Sequence, residues 1–311
     1  MKTAFLFPGQ GSQYVGMGKA LAAEFPEARA LFDRASSIIG EDLATLSFEG
    51  PEEELRETRN TQPALFVKSY AVWTIVRDRL TPDFVAGHSL GEYSALAAAS
   101  ALSFEDGVRA VRKRGELMWE SGVKRPGTMA AILGLSNGEV EALCREASAV
   151  GIVQPANLNC PGQVVVSGEV AAVDRVVELA PARGAKKAAK LNVSGAFHSL
   201  LMADAKDELA EFLRGLPIRD ARVPVVANVS ARPVSRAEEI RKSLTDQMTA
   251  PVRWEESVRF LLDEGVGDLY EVGAGRVLRG LVRAIDRSVR CTSIGTPDTV
   301  VALLGERGGV R

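Results

Sequence analysis

Short apolar runs alternate with helix-length segments along most of this chain, and between residues 127 and 193 that rhythm changes. Outside the interval, Thr3–Phe7, Asp83–Gly87, Val223–Ala227, Asp268–Val272 and Arg290–Ile294 are expected as buried strands. Helices are expected at Met17–Phe25, Pro26–Ile39, Asn60–Leu80, Leu90–Ser100 and Phe104–Ser121. Others are expected at Leu200–Leu213, Ala237–Met248, Trp254–Asp263 and Val277–Ile285, and a short one ends the chain. Pro51 followed by three glutamates starts one more. Strands alternating with helices predict a mainly parallel sheet covered on both faces. Inside the interval the order is strand Thr128–Leu135, helix Glu139–Ala149, strands Ile152–Leu158 and Gln163–Ser167, helix Ala171–Arg183, and strand Lys187–Val193. That βαββαβ order predicts a ferredoxin-like subdomain at 127–193, inserted in a larger α/β domain made of 1–126 and 194–311. The tail after Gly305 is expected to fray.

Composition narrows the function. With 311 residues, 46% hydrophobic and 25% charged, the chain has the make-up of a globular protein. Lys plus Arg is 38 against 40 Asp plus Glu, a net charge of −2, so nucleic acid is not an expected partner. Three scattered cysteines predict free thiols in a reducing cytoplasm. The apolar run Ala4–Phe7 is too short for a signal-peptide core, and no stretch approaches a membrane span. Two histidines, His88 and His198, rule out a zinc cluster.

Gly87-His88-Ser89-Leu90-Gly91 is a G-x-S-x-G sequence lying between an expected strand and an expected helix, the setting of a nucleophile elbow. A glycine-rich turn with an N-cap serine would look the same. A serine nucleophile needs a base. His88 adjoins Ser89 and should point to the other side of so tight a turn, which leaves His198. No acid stands out as a third member, so a Ser–His dyad is expected, with the imidazole oriented by a carbonyl or amide. Arg114 borders the buried stripe of its helix and reads as half-buried. It suits a carboxylate ligand, and an internal salt bridge equally. Gln10 follows the first strand, at the sheet edge where ligands of α/β proteins bind. Its N–H and that of Leu90 are candidate oxyanion donors.

Several motifs together carry a family resemblance. FPGQGSQ at 7–13, GHSLGEYSAL at 87–96, Arg114-Gly115, NLNCPGQVVVSG at 157–168, GAFHS at 195–199, PVRW at 251–254 and EVGAGRVL at 271–278 resemble the malonyl-CoA:acyl carrier protein transacylases of bacterial fatty acid synthesis. The resemblance runs from about residue 3 to about residue 295. It implies an α/β-hydrolase-like domain with an inserted ferredoxin-like subdomain, and ping-pong malonyl transfer without a cofactor. It implies Ser89 as nucleophile, His198 as base, Arg114 on the malonyl carboxylate, and Gln10 and Leu90 as oxyanion donors. Gln247 matches the histidine-orienting position and Asn159 a site-lining amide. Phe197 matches a position where polyketide acyltransferases have Phe for malonyl and Ser for methylmalonyl. Ala274 departs from the usual Pro, which bears on loop stiffness and not on chemistry, and Cys160 departs from the usual Ser, which would place an extra thiol near the site.

The implied partners are malonyl-CoA and an acidic acyl carrier protein, and a monomer is expected. Arg279, Arg283 and Arg287, spaced by four on one expected helix face, are the favoured carrier-docking residues. Lys186, Lys187 and Lys190 form a second basic candidate. Two alternative enzymes share parts of the pattern. A trans-acting acyltransferase of a polyketide synthase has the same chemistry with another carrier. A patatin-like serine hydrolase shares the elbow, but it resembles a Ser–Asp dyad and has no use for Arg114.

Overall fold

A computed structural model describes residues 2–305, so the tail expected to fray lies outside the described residues. Strand β1 (Lys2–Phe7) leads into α1 (Lys19–Glu24), α2 (Pro26–Ile39), α3 (Leu43–Glu49), α4 (Glu52–Arg56) and α5 (Thr58–Val76). Next come β2 (Phe84–Gly87), α6 (Gly91–Ala98) and α7 (Phe104–Lys124). The middle of the chain forms β3 (Gly127–Leu133), α8 (Asn137–Ala147), β4 (Val153–Cys160), β5 (Gln163–Glu169), α9 (Val170–Leu179) and β6 (Lys187–Lys190). It is followed by α10 (Ala203–Gly215), β7 (Val225–Ala227), β8 (Arg232–Val234), α11 (Ala237–Gln247) and α12 (Trp254–Asp263). The last elements are β9 (Val266–Val272), α13 (Val277–Ile285), β10 (Arg290–Ile294) and α14 (Pro297–Gly305).

The strands make two sheets. The six-stranded one runs β10-β9-β1-β2-β7-β8, with every pair parallel except the edge pair β7–β8. The four-stranded one runs β4-β5-β3-β6 and is antiparallel. Alternation along β1 decides what covers the large sheet. Phe5 and Phe7 join the core that includes Leu65, Phe66, Leu96 and Val108 from α5, α6 and α7. Ala4 and Leu6 face the other way, into a core with Trp254, Val258, Leu278 and Val282 from α12 and α13. The small sheet has a core of its own, where Ile132, Val164 and Val166 meet Val140, Leu143, Val173 and Val176 from α8 and α9. Among the described residues, no helix is long and apolar enough to cross a membrane.

Several expected boundaries move for local reasons. α1 starts only at Lys19 because Gly16 and Gly18 are left-handed. The expected helix to Arg183 stops at Leu179, and Pro181 opens a separate 3-10 turn. The strand expected to reach Val193 ends at Lys190. α3 was not expected. Asp42 caps it by accepting the Thr45 N–H at 2.9 Å. The three-residue strand β8 also lacked a signal, since Arg232-Pro233-Val234 shows no apolar alternation. α13 ends at Ile285, so Arg287 lies beyond it and does not share a helix face with Arg279 and Arg283.

Register positions the chemistry. Phe7 pairs with Gly87, so β1 and β2 end side by side and their loops leave the same edge. The contact there is close: a Cβ on Gly91 would lie 2.0 Å from the Phe7 carbonyl oxygen, and one on Gly9 would lie 2.3 Å from the His88 carbonyl oxygen. Gly91→Ala should therefore cost about 1–3 kcal/mol of stability, the usual range for overpacking. Gly138→Ala, where nothing lies within 4 Å, should be neutral or stabilising. Urea unfolding of both variants checks this, and a Gly91→Ala midpoint equal to the parent's would contradict the contact.

Candidate active site

Ser89 stands between β2 and α6 at φ 51°, in the left-handed region. Non-glycine residues pay about 1–3 kcal/mol for such a backbone and keep it only where the surroundings enforce it. Here they do. The Ser89 N–H donates to Asn228 Oδ1 at 2.7 Å, and Asn228 Nδ2 donates to the Gly87 carbonyl at 2.7 Å. One side chain thus ties both sides of the turn. The His88 N–H donates to the Phe7 carbonyl at 3.0 Å, fixing the turn to β1.

His198 lies in the loop after β6, also left-handed at φ 59° and buried. Its Nε2 is 2.7 Å from Ser89 Oγ. Its Nδ1 is 2.8 Å from the Gln247 main-chain oxygen. A carbonyl only accepts, so Nδ1 carries the proton, Nε2 keeps its lone pair, and the serine hydroxyl donates to it. Gln154, from β4, braces this loop. Its Nε2 donates to the His198 carbonyl at 3.2 Å and to the Thr249 carbonyl at 3.0 Å.

Arg114 comes from the middle of α7 and is 1% exposed, fully buried rather than half-buried. α7 lies close against α5: a Cβ on Gly115 would sit 2.8 Å from Arg59 Cα and 2.8 Å from the Thr58 oxygen. The guanidinium donates to Gln62 Oε1 at 2.8 Å, Gln247 Oε1 at 2.8 Å and Ser89 Oγ at 3.1 Å. Its Nε is buried and has no hydrogen-bond partner. The neighbouring Arg112 turns outward to Glu41 and Glu116, each at 2.6 Å. Ser89 Oγ therefore gives its proton toward an imidazole while accepting from a cation. That arrangement favours removal of the proton and charge on oxygen.

Burial sets the ionisation. It pushes His198 from 6.5 down to about 3, and the Arg114 charge pushes the same way, so the imidazole is neutral near pH 7. Burial lowers His88 too. Glu92 is buried beside them and is pushed up from 4.5 to about 7, opposed by the Asn228 N–H, Gln247 Nε2 and Arg114. Arg114 itself is lowered by burial but opposed by Glu92.

The structure hydrogen-bonds Ser89 to both His198 and Arg114, and Gln247 to all three. For Gln247 the main-chain oxygen, not the side-chain amide, meets the histidine. Gln10 approaches through the Gly9–His88 contact, and its side chain donates to Thr58 Oγ1 at 3.1 Å. Leu90 begins the α6 end of the turn. Asn159 Oδ1 lies 2.8 Å from His88 Nε2, and the His88 ring packs on Trp254. Phe197 is buried next to His198 in the chain. Arg279 and Arg283 are exposed on α13, and Arg287 is exposed beyond its end. Lys190 of the second basic candidate is paired with Asp174 at 2.9 Å. Sequence reading missed Glu92, Asn228 and Gln62. Only Glu92 carried a signal, an acid in the small-residue first turn of a helix buried on every side.

The acyl transferase domain family matches residues 4–301. The malonyl CoA-acyl carrier protein transacylase of Bacillus subtilis (strain 168) is 48% identical over 301 residues, covering 96% of this chain and 95% of that one. That of Staphylococcus aureus (strain MRSA252) is 43% identical over 300 residues, covering 96% and 97%. A solved malonyl-transacylase in complex with a type II PKS acyl-carrier protein superposes with a TM-score of 0.95 at 42% identity, covering 98% of this chain and 99% of that chain. The solved transacylase from Coxiella burnetii gives a TM-score of 0.95 at 39% identity, covering 98% and 97%.

The neutral, buried imidazole links stability to pH. Between about 3 and 6.5 the unfolded chain protonates His198 and the folded one does not, so stability falls as pH falls through that window. Glu92 acts oppositely. Its raised value makes the folded chain bind the extra proton between 4.5 and about 7, which adds stability as pH falls. Comparison with a variant separates the two. Between pH 6 and 5 the parent should lose about 1 kcal/mol per pH unit more than His198→Asn, roughly one proton's worth. Equal slopes in denaturant unfolding would mean that the folded imidazole titrates normally.

Proposed function

The chain belongs to the acyl transferase domain family, and within it to the malonyl-CoA–acyl carrier protein transacylases, and from that premise we propose that it moves malonyl from CoA to the phosphopantetheine thiol of an acyl carrier protein. The observation that carries this reading is the sharing of Ser89 Oγ between His198 Nε2 and the buried guanidinium of Arg114. A serine hydrolase needs the first contact and gains nothing from the second. An acyl group with a free carboxylate needs both. We also read the large sheet as the α/β-hydrolase-like domain, 1–126 with 194–311. The β4-β5-β3-β6 order supports a ferredoxin-like insertion at 127–193.

Malonyl-CoA places its carboxylate on Arg114. Ser89 Oγ attacks the thioester carbon as its proton passes to His198 Nε2. The Gln247 carbonyl, on Nδ1–H, stabilises the imidazolium that forms. The oxyanion rests on the N–H groups of Gln10 and Leu90, where the α6 terminus adds its dipole. Collapse breaks the C–S bond, and the leaving thiolate takes the proton from His198. The carrier thiol then repeats the sequence in reverse, giving its proton to His198 and taking malonyl from Ser89. No electron changes hands, so the reaction calls for no redox cofactor. Phe197 is the proposed filter against an α-methyl group. A cytoplasmic location and a monomeric state belong to the same proposal.

α13 is the proposed carrier-docking element. Its first N–H groups, from Leu278 and Arg279, donate to buried Glu271 at 2.8 and 3.1 Å. The loop before it packs on the Gln10 loop: a Cβ on Gly273 would lie 3.2 Å from Pro8, and one on Gly275 would lie 3.6 Å from Ser12. Exposed Arg276, Arg279 and Arg283 therefore stand near the proposed oxyanion donors.

Intact-mass spectrometry with malonyl-CoA should show one malonyl adduct, mapped to Ser89 and absent from Ser89→Ala. An adduct on a cysteine, or none, sinks the mechanism. Arg114→Ala should lower kcat/KM for malonyl-CoA at least tenfold, as expected when a charged hydrogen bond of about 1.5–3 kcal/mol is lost. Acetyl-CoA should lose less, through the Arg114–Ser89 contact alone, and equal losses would mean that Arg114 does not recognise the carboxylate. Reversing Arg279 and Arg283 to Glu should raise the carrier KM several-fold and spare acylation by malonyl-CoA. Added salt should act in the same way. A carrier panel would show whether a fatty-acid or a polyketide carrier is preferred.

A further inference from the structure

Glu92 is the least expected group in the site. It lies in the first turn of α6, 1% exposed, and burying a carboxylate is costly unless its surroundings answer the charge. Its direct partners are two neutral donors. The Asn228 N–H reaches Oε2 at 2.9 Å, and Gln247 Nε2 reaches the same oxygen at 2.8 Å. Neither the nucleophile nor the base touches it.

We propose that Glu92 is a positioning residue that fixes which way the Gln247 amide faces, and through that amide holds the Arg114 guanidinium in place for an acyl carboxylate. The inference rests on the reading of Arg114 given above. An amide has a donor end and an acceptor end of nearly the same shape, so its partners decide its orientation. Gln247 Nε2 meets three acceptors: Glu92 Oε2 at 2.8 Å, the Ser89 carbonyl at 3.1 Å and Asn228 Oδ1 at 3.3 Å. Only Glu92 among them can carry a full charge, and it makes the shortest contact. Gln247 Oε1 is thereby turned to Arg114 Nη2, at 2.8 Å. Flipped, the amide would set its NH2 against a guanidinium, donor against donor, and its oxygen against a carboxylate.

Two consequences follow from the same contacts. Glu92 and Arg114 stand on opposite ends of one amide, so the buried positive charge is answered without a direct ion pair that an incoming carboxylate would have to break. Glu92 also holds the main chain of Asn228, whose side chain secures the Ser89 turn through Ser89 N–H and the Gly87 carbonyl. One buried acid thus orients the group proposed to bind the acyl carboxylate and steadies the turn that bears the nucleophile.

The test is acylation of the full-length protein at pH 8 by malonyl-CoA and acetyl-CoA, in three variants. In Glu92→Gln the amide introduced at position 92 can offer its NH2 to Gln247 and allow the flip. The expected result is a rise in malonyl KM with at least a tenfold fall in malonyl kcat/KM, while acetyl kcat/KM changes less than threefold. Glu92→Asp keeps the charge and should keep the malonyl preference even if it is slower. Equal losses for both acyl groups in Glu92→Gln, an unchanged malonyl preference there, or a Glu92→Asp variant that loses the preference as fully as Glu92→Gln would each overturn the proposal. Arg114→Ala keeps the two readings apart. If it abolishes the preference and Glu92→Gln does not, only the role of Glu92 fails. If Arg114→Ala itself spares the preference, the Arg114 reading fails.

Discussion

A guanidinium buried in the protein interior is the constraint around which this site is organised. Arg114 cannot be neutralised by giving up its proton at any working pH, so its charge has to be answered by what surrounds it. The answer is mostly dipolar. Two glutamine oxygens and one serine hydroxyl accept from it, the Tyr93 ring lies 5.6 Å away, and the nearest acid acts through an amide. This leaves a cation that is held in place but not saturated, with one nitrogen still lacking a partner. A ligand carboxylate fits such a group better than a resident one would.

The same constraint reaches into the fold. Arg114 arrives at Ser89 only because α7 lies nearly in contact with α5, which Gly115 permits on the Thr58 side and Gly107 against the Phe66 ring. Ser89 arrives there because β1 and β2 are in register at Phe7 and Gly87, and because the turn after β2 is pressed against the β1 carbonyls. The His198 and Thr249 carbonyls are held by Gln154 from the small sheet, so the two sheets meet at the loops that bear His198 and follow Gln247. Both Ser89 and His198 occupy left-handed backbone, and these contacts hold that strain in place.

Much of this was legible in the sequence, for reasons that differ by residue. Ser89 was marked by its glycines, and the contacts made by Gly87 and Gly91 show why those positions need glycine. His198 was found by scarcity, since only one other histidine competes. The αβ alternation gave the parallel sheet because long apolar strands and amphipathic helices announce themselves, whereas β8 is too short and polar to do so. Gln247 was placed by resemblance, but no sequence pattern says that its main chain would serve the histidine while its side chain serves the arginine. Glu92, Asn228 and Gln62 stayed hidden because a polar residue in a helix or loop ordinarily faces water, and only tertiary packing shows these three inside. Arg287 was misplaced because a four-residue spacing continues past the end of a helix as easily as within one.

The proposed recognition of a negative charge on the acyl group through Arg114, with Ser89 and His198 carrying out the transfer, stands or falls on that charge. A rapid-quench comparison of Ser89 acylation by malonyl-CoA and by its uncharged carboxamide analogue, malonamoyl-CoA, isolates that charge with almost no change in shape. Acylation should be at least tenfold faster, as kcat/KM, with the carboxylate, the difference expected for one charged hydrogen-bonded contact. Equal rates for the two thioesters would contradict it.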